Sequence, residues 1–321
     1  MSSLDVATLA ERLARVAISD VQPLAGGASS LTYAALLGGR RVVVKVAPPG
    51  VEPVLHRDVL RQARLLRCLA GRGVPVPDVL HEDAGAPPAV PPLFVMAFLE
   101  GSSLEPLYDR DGEPVGADVV SDRLRDAARV LGRLHRVDPA GVGLGDEPIV
   151  TPRDEVERWM RTLRTVDPAL VPGWEAAAEQ LHSTAPGLTR SAIVHGDFRL
   201  GNLLAVDGQV TAVIDWEIWA VGDPRVDLGW FLLNADADTY RRGTRYAGAT
   251  PLPSELLATY AGELGKDVAD VGWFVALAAF KSTATWALIV KHNRRRDEPD
   301  PALEAMAADL PRLLERARSF R

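Results

Sequence analysis

The chain has 321 residues, 47% of them apolar, a formal net charge of −7 and a single cysteine, Cys68. That length and apolar content suffice for a large core divided between two lobes. The acidic balance argues against a general nucleic-acid binder, whose surface is expected to be basic, and one cysteine excludes an internal disulfide, which suits a reducing cytoplasm.

Residues 1–17, MSSLDVATLAERLARVA, are amphipathic, include acids and lack an apolar signal core, so export is not expected and a cytoplasmic location is. Residues 24–48, LAGGASSLTYAALLGGRRVVVKVAP, read as a glycine-containing turn followed by two strands joined at Gly38-Gly39. Pairing across that turn sets Lys45 opposite Thr32, beside the loop that holds Gly26, Gly27, Ser29 and Ser30. Glycines permit close approach to a phosphate, the serines add hydroxyl donors and the lysine neutralises charge. Alone, the same residues also fit an edge-strand lysine beside an ordinary turn.

A helix follows over 53–70, with Leu55, Val59, Leu66 and Leu69 on one face and Gln62 in the same stripe. Cys68 on this helix reads as small packing. Residues 93–100, LFVMAFLE, read as a strand that stops at Gly101. From Ser102 the pattern turns helical, with Leu124, Ala128, Leu131 and Leu134 spaced along 122–136. Near the C-terminus, VGWFVALAAFKSTATWALIV is interrupted by Lys281 and reads as a buried helix rather than a membrane span.

Between these helical regions lies IVHGDFRLGNLLAVDGQVTAVIDWE, residues 193–217. Asp207-Gly208, flanked by apolar residues, signals a β-hairpin with a two-residue type I′ turn. In that register Val206 faces Gln209 and Asn202 faces Val213, which makes Asn202 and Asp215 diagonal neighbours on one face, roughly 7 to 8 Å apart. Asp197 lies in the loop just before. Two carboxylates and an amide oxygen form a hard donor set, suited to magnesium and phosphate rather than to zinc or copper.

Asp197 precedes Asn202 by five residues, and Asn202 precedes Asp215 by thirteen. The run His195-Gly196-Asp197-Phe198-Arg199-Leu200-Gly201-Asn202, followed by Ile214-Asp215-Trp216-Glu217, resembles the aminoglycoside phosphotransferase and choline kinase-like family, small-molecule relatives of the protein kinases. The resemblance implies an α+β, protein-kinase-like two-lobe fold, with a small β-rich nucleotide lobe over 1–100 and a larger helical lobe over 101–321. It implies that Asp197 is the base orienting an acceptor hydroxyl, that Asn202 and Asp215 hold Mg2+, and that ATP or GTP is the donor. The glycine loop and Lys45 would meet the phosphates, and Met96, Phe98 and Glu100 would line the base at the hinge. Arg199, two residues after the base, stands where it could neutralise developing charge, or it is a surface arginine.

One departure stands out. Where the family carries a glutamate that pairs with the strand lysine, this chain has Gln62, with Asp58 one turn earlier as a substitute. His195, Asp223 and Asp227 read as structural, with Asp227 bracing the loop and Asp223 capping a helix. Trp216, Trp219 and Trp230 read as core, with the alternative that one of them lines the acceptor pocket. A helix begins within about a dozen residues of Asp215, which leaves no activation segment and disfavours a protein kinase. The expected partner is a small-molecule hydroxyl acceptor, not nucleic acid or a membrane. The alternative is a nucleotide-binding module with little or no transfer. Acceptor charge stays open, since Asp236 and Asp238 stand near Arg241, Arg242 and Arg245, and a basic run covers 291–296. That run either closes its helix or meets an anionic acceptor. The long helix with its basic end is also similar to the phosphotransferase domains fused to acyl-CoA dehydrogenases, a branch that implies hydroxyacyl substrates.

Overall fold

The computed structural model describes residues 5–24, 30–106, 115–240 and 245–320. Helix α1 (Val6–Ala14), capped by the Asp5 carboxylate, buries Leu9 and Leu13. It shares a core with one face of a five-stranded antiparallel sheet made by β1 (Ile18–Pro23), β2 (Leu31–Leu37), β3 (Arg40–Val46), β4 (Val79–Asp83) and β5 (Leu93–Ala97), in the order β1-β2-β3-β5-β4. Val42, Val44 and Val46 alternate inward along β3, as the period of two demands. Lys45 pairs with Thr32, as the sequence predicts.

Helix α2 (Val59–Leu69) is shorter than the 53–70 expected from the sequence, because Asp58 accepts the N–H groups of Leu60 and Arg61 and so fixes the helix start. Leu55, expected on its buried face, lies in a separate single turn and is 76% exposed. Likewise the strand expected over 93–100 ends at Ala97.

The remaining helices are α3 (Ala117–Arg136), α4 (Pro152–Leu163), α5 (Trp174–Ser183), α6 (Arg225–Ala235), α7 (Pro253–Leu264), α8 (Val271–Asn293), α9 (Pro301–Glu304) and α10 (Leu310–Arg318). Two small sheets sit among them. One has three strands, β6 (Ile149–Val150), β7 (Ala192–Val194) and β10 (Ala220–Gly222), in the order β6-β10-β7, and the other is the hairpin of β8 (Leu203–Val206) and β9 (Gln209–Val213). Helices α4, α5, α6, α8 and α10 contribute to one apolar cluster, and α2, α3 and the hairpin to another. Helix α8 is long and apolar enough to cross a bilayer by length and composition, yet 78% of its apolar window is buried inside the fold. It packs as a core helix.

The hairpin exists, but its register is not the one expected. A bulge after Leu204 shifts the pairing so that Leu203, not Asn202, faces Val213. Nor is the turn type I′: Asp207 has φ 52, whereas Gly208 stays outside the left-handed region. The glycine serves close packing instead, since a Cβ there would come within 2.7 Å of Asp122 Cβ on α3. The same helix holds the hairpin through Arg123 Nε, which donates to the Asp207 carbonyl, and Asp126, which accepts the Val210 N–H.

Candidate active site

The loop between β7 and β8 carries Asp197. Gly196 takes φ 86, and a Cβ there would meet the Ile218 carbonyl oxygen at 2.8 Å. Asp227, buried on α6, accepts the backbone N–H of His195 at 2.6 Å and of Gly196 at 2.8 Å. Burial pushes this carboxyl up, but His135 and His195 together with the backbone donor outweigh it and leave it below the ordinary carboxylate range. His195 Nδ1 accepts the Asp197 N–H, so Nε2 carries the proton and donates to the Ile214 carbonyl at 2.9 Å. Loop and hairpin are thereby locked together. Asp223 accepts the Arg225 N–H at the start of α6 and pairs with its guanidinium.

The carboxylate of Asp197 is held by three donors. Asn202 Nδ2 reaches Oδ2 at 2.8 Å, Trp230 Nε1 reaches Oδ1 at 2.7 Å, and Arg199 Nε lies 3.3 Å from both oxygens. Arg199 also pairs with Glu105, whose carboxyl burial pushes up. Asp215 takes φ 64 and ψ 52, a left-handed conformation that aspartate tolerates better than most side chains, and its Oδ1 lies 3.3 Å from Lys45 Nζ.

Two clefts meet here. The first, of 340 Å³, is lined by Lys45, Met96, Phe98, Asn202 and Asp215, with Leu24, Val43, Leu204 and Ile214 among its apolar walls. The second, of 490 Å³, is lined by Asp197, Arg199 and Lys281 together with Trp159, Trp230, Tyr240, Trp286, Leu303 and Met306. Asn202 belongs to the first and Asp197 to the second, and Asn202 Nδ2 joins them by donating to both the carboxylate and the backbone carbonyl of Asp197.

Several expected residues fall elsewhere. Glu100 does not line the first cleft: its carboxylate faces Arg41 at 3.5 Å in solvent, and its carbonyl accepts the Thr211 hydroxyl. Gln62 is 3% exposed, but it forms no hydrogen bond with Lys45 and its amide nitrogen has no partner. A neutral amide holds an ammonium less strongly than the Asp215 carboxylate does. Asp58 is committed to its cap. Ser30 is buried, and Gly26, Gly27 and Ser29 lie outside the described residues, as do Arg241 and Arg242. None of Arg294, Arg295 and Arg296 lines the second cleft, and Arg294 is paired with Glu304 at 2.6 Å. Trp216 and Trp219 are core, as expected, but Trp230 is part of the site.

Lys281 was not foreseen as a site residue. Only 5% exposed, it donates to the Gly196 carbonyl and stands 3.7 Å from the centroid of the Trp230 ring. Burial pushes its ammonium down to about 8, against the pull of Asp197 and Glu155. The signal that could have found it was the charge in mid-helix of an apolar run.

The phosphotransferase enzyme family matches residues 20–262, and the chain belongs to that family. It is a phosphotransferase of kinase-like α+β fold. A mouse protein, acyl-CoA dehydrogenase family member 10, is 30% identical over 212 residues, which are 64% of this chain and 20% of the mouse protein. The chain thus spans about one-fifth of that relative, and the likeness to acyl-CoA dehydrogenase relatives expected from the sequence is found. Among solved structures, a candidate aminoglycoside phosphotransferase from Ralstonia eutropha matches with TM-score 0.77 at 21% identity, covering 98% of each chain. A thermostable mutant of the aminoglycoside phosphotransferase APH(4)-Ia, solved in a ternary complex with AMP-PNP and hygromycin B, matches with TM-score 0.64 at 17% identity, covering 96% of this chain and 98% of that one.

Proposed function

We propose that this phosphotransferase moves the γ-phosphoryl group of ATP or GTP to the hydroxyl of a small molecule with an apolar body, neutral or anionic rather than polycationic. The observation that carries the reading is the Asn202–Asp197 hydrogen bond, through which a nucleotide-sized cleft touches an aromatic pocket. In this reading residues 1–100 form the nucleotide lobe and residues 101–321 the lobe that supplies the base and the acceptor pocket.

Lys45 would neutralise nucleotide phosphate, and Met96 and Phe98 would flank the base. Asn202 commits its Nδ2 to Asp197, so what it has left to offer the cleft is its carbonyl oxygen; with the Asp215 carboxylate this gives two hard donors beside the phosphate site, a set that fits magnesium. Bound there, the ion would supply charge neutralisation on the phosphates. Asp197 would accept the hydroxyl proton as the acceptor oxygen bonds to the γ-phosphorus. The bond to the bridging oxygen then breaks and the nucleoside diphosphate leaves. Arg199, held between Asp197 and Glu105, would contribute positive charge at the same point. This is catalysis by positioning and electrostatics.

The acceptor class follows from the pocket wall. Asp197 is the only carboxylate among its described lining residues, and Lys281 places an ammonium at its floor, which repels cationic acceptors. The test is a Mg-ATP consumption screen across hydroxyacyl-CoAs, choline-like amines, aminoglycosides and sugars, with product mass measured. The expected result is a product heavier by one phosphoryl group from an acceptor with an apolar body. Turnover confined to aminoglycosides would overturn the acceptor class, and nucleotide hydrolysis without any phosphorylated acceptor would overturn the transfer reading.

A further inference from the structure

Asp197 differs from its neighbours in being held from both sides. Asn202 reaches one oxygen from the nucleotide side, and Trp230 reaches the other from the acceptor side. A carboxylate turns about its last bond with little resistance, and a donor at each oxygen fixes its plane. Trp230 is itself seated: the Lys281 ammonium lies 3.7 Å from the ring centroid and donates to the carbonyl of Gly196, the residue before Asp197. One helix, α8, therefore grips both the peptide that carries the base and the ring that orients it. Buried Trp219 and Trp273 leave their N–H groups without a partner, so a core role does not by itself explain why Trp230 donates to the base. Nor does fold stability require a lysine 5% exposed in the middle of an apolar helix.

We infer that Trp230, braced by Lys281, is a positioning residue that aligns the Asp197 carboxylate from the acceptor side. The inference rests on Asp197 being the base. Trp230 also walls the second cleft, so an acceptor seated against the ring would find the carboxylate already turned toward its hydroxyl. Lys281 acts at one remove, through the ring and through the Gly196 peptide.

Trp230→Phe keeps the ring and deletes the donor. The experiment compares wild type, Trp230→Phe, Asp197→Asn and the double variant by ADP release from Mg-ATP with water as acceptor, and by calorimetry with AMP-PNP and magnesium. Loss of one charge-assisted hydrogen bond should lower kcat roughly 10- to 100-fold while nucleotide affinity stays within about twofold. Since Trp230 acts through Asp197, the double variant should be no slower than Asp197→Asn alone. In 15N–1H spectra the Trp230 indole resonance, assigned by its loss in Trp230→Phe, should move in Asp197→Asn. A Trp230→Phe enzyme with unchanged kcat, or an indole resonance indifferent to Asp197→Asn, overturns the inference and leaves the base intact. Unchanged turnover in Asp197→Asn overturns the base itself.

Discussion

The proposed nucleotide cleft and the proposed acceptor pocket share a border at Asp197 but are built in different ways. Lys45, Asn202 and Asp215 come from short local devices: a strand opposite a turn, a loop and a bulged hairpin. Trp159, Trp230, Tyr240, Lys281, Trp286 and Met306 come from four separated stretches that only tertiary packing brings together. The first region is polar where it matters and fixed by backbone geometry. The second is aromatic, and its single lysine is paired to a ring and a carbonyl. Donor chemistry can thus stay constant on one side of Asp197 while acceptor choice varies on the other.

That division can be attacked from the acceptor side first. Trp286 stacks on Tyr240 with ring centroids 4.5 Å apart, and the pair walls the pocket. Trp286→Ala should raise the acceptor KM about tenfold and leave the nucleotide KM unchanged, because it removes binding surface that ground and transition states share. An equal loss in both constants would mean that the two regions are not separable. From the nucleotide side, Gln62→Glu puts a carboxylate at a buried position on α2 and, if it reaches Lys45, should tighten Mg-nucleotide binding about threefold, read by calorimetry. A weaker affinity with a lower Tm would say that this buried position rejects charge.

The smallest effect concerns pH. Lys281 binds its proton less tightly in the fold, near 8, than its ordinary 10.5, chiefly through burial and despite Asp197, Glu155 and Asp227. Between those values the unfolded chain holds a proton that the fold has released, so stability should rise with pH across the window, and the penalty should be fully present below it. Wild-type Tm measured against Lys281→Met from pH 7 to 10.5 should drift upward by a few degrees. A flat difference would place Lys281 in a wetter setting than its burial implies.

How far the sequence reached follows the same border. The spacing of Asp197, Asn202 and Asp215, the pairing of Lys45 with Thr32 and the brace from Asp227 were all legible, since each depends on local geometry or on a motif. The hairpin register was not, because a bulge leaves no mark in an alternating pattern. Gln62 was placed on the right helix but assigned the wrong partner: Lys45 pairs with the Asp215 carboxylate, which the motif marked only as a metal ligand. That one of three tryptophans lines a pocket was open in the sequence, but not that it is Trp230, because an apolar helix hides which ring presents its N–H to a cleft. Lys281 read only as the residue that marks a buried helix rather than a membrane span, although a charge in the middle of an apolar run is itself a sign of a polar task there.

The central claim is that one residue, Asp197, serves transfer while its neighbours across the border serve the nucleotide. It is tested most directly by calorimetry with AMP-PNP, with and without magnesium, alongside transfer assays on Asp197→Ala and Asp215→Ala. Asp197→Ala should bind the magnesium nucleotide normally and transfer at least a thousandfold more slowly, on the order of a lost general base with its positioning. Asp215→Ala should lose the magnesium-dependent part of the affinity. Wild-type turnover in Asp197→Ala, or metal-dependent binding that survives in Asp215→Ala, would contradict the account.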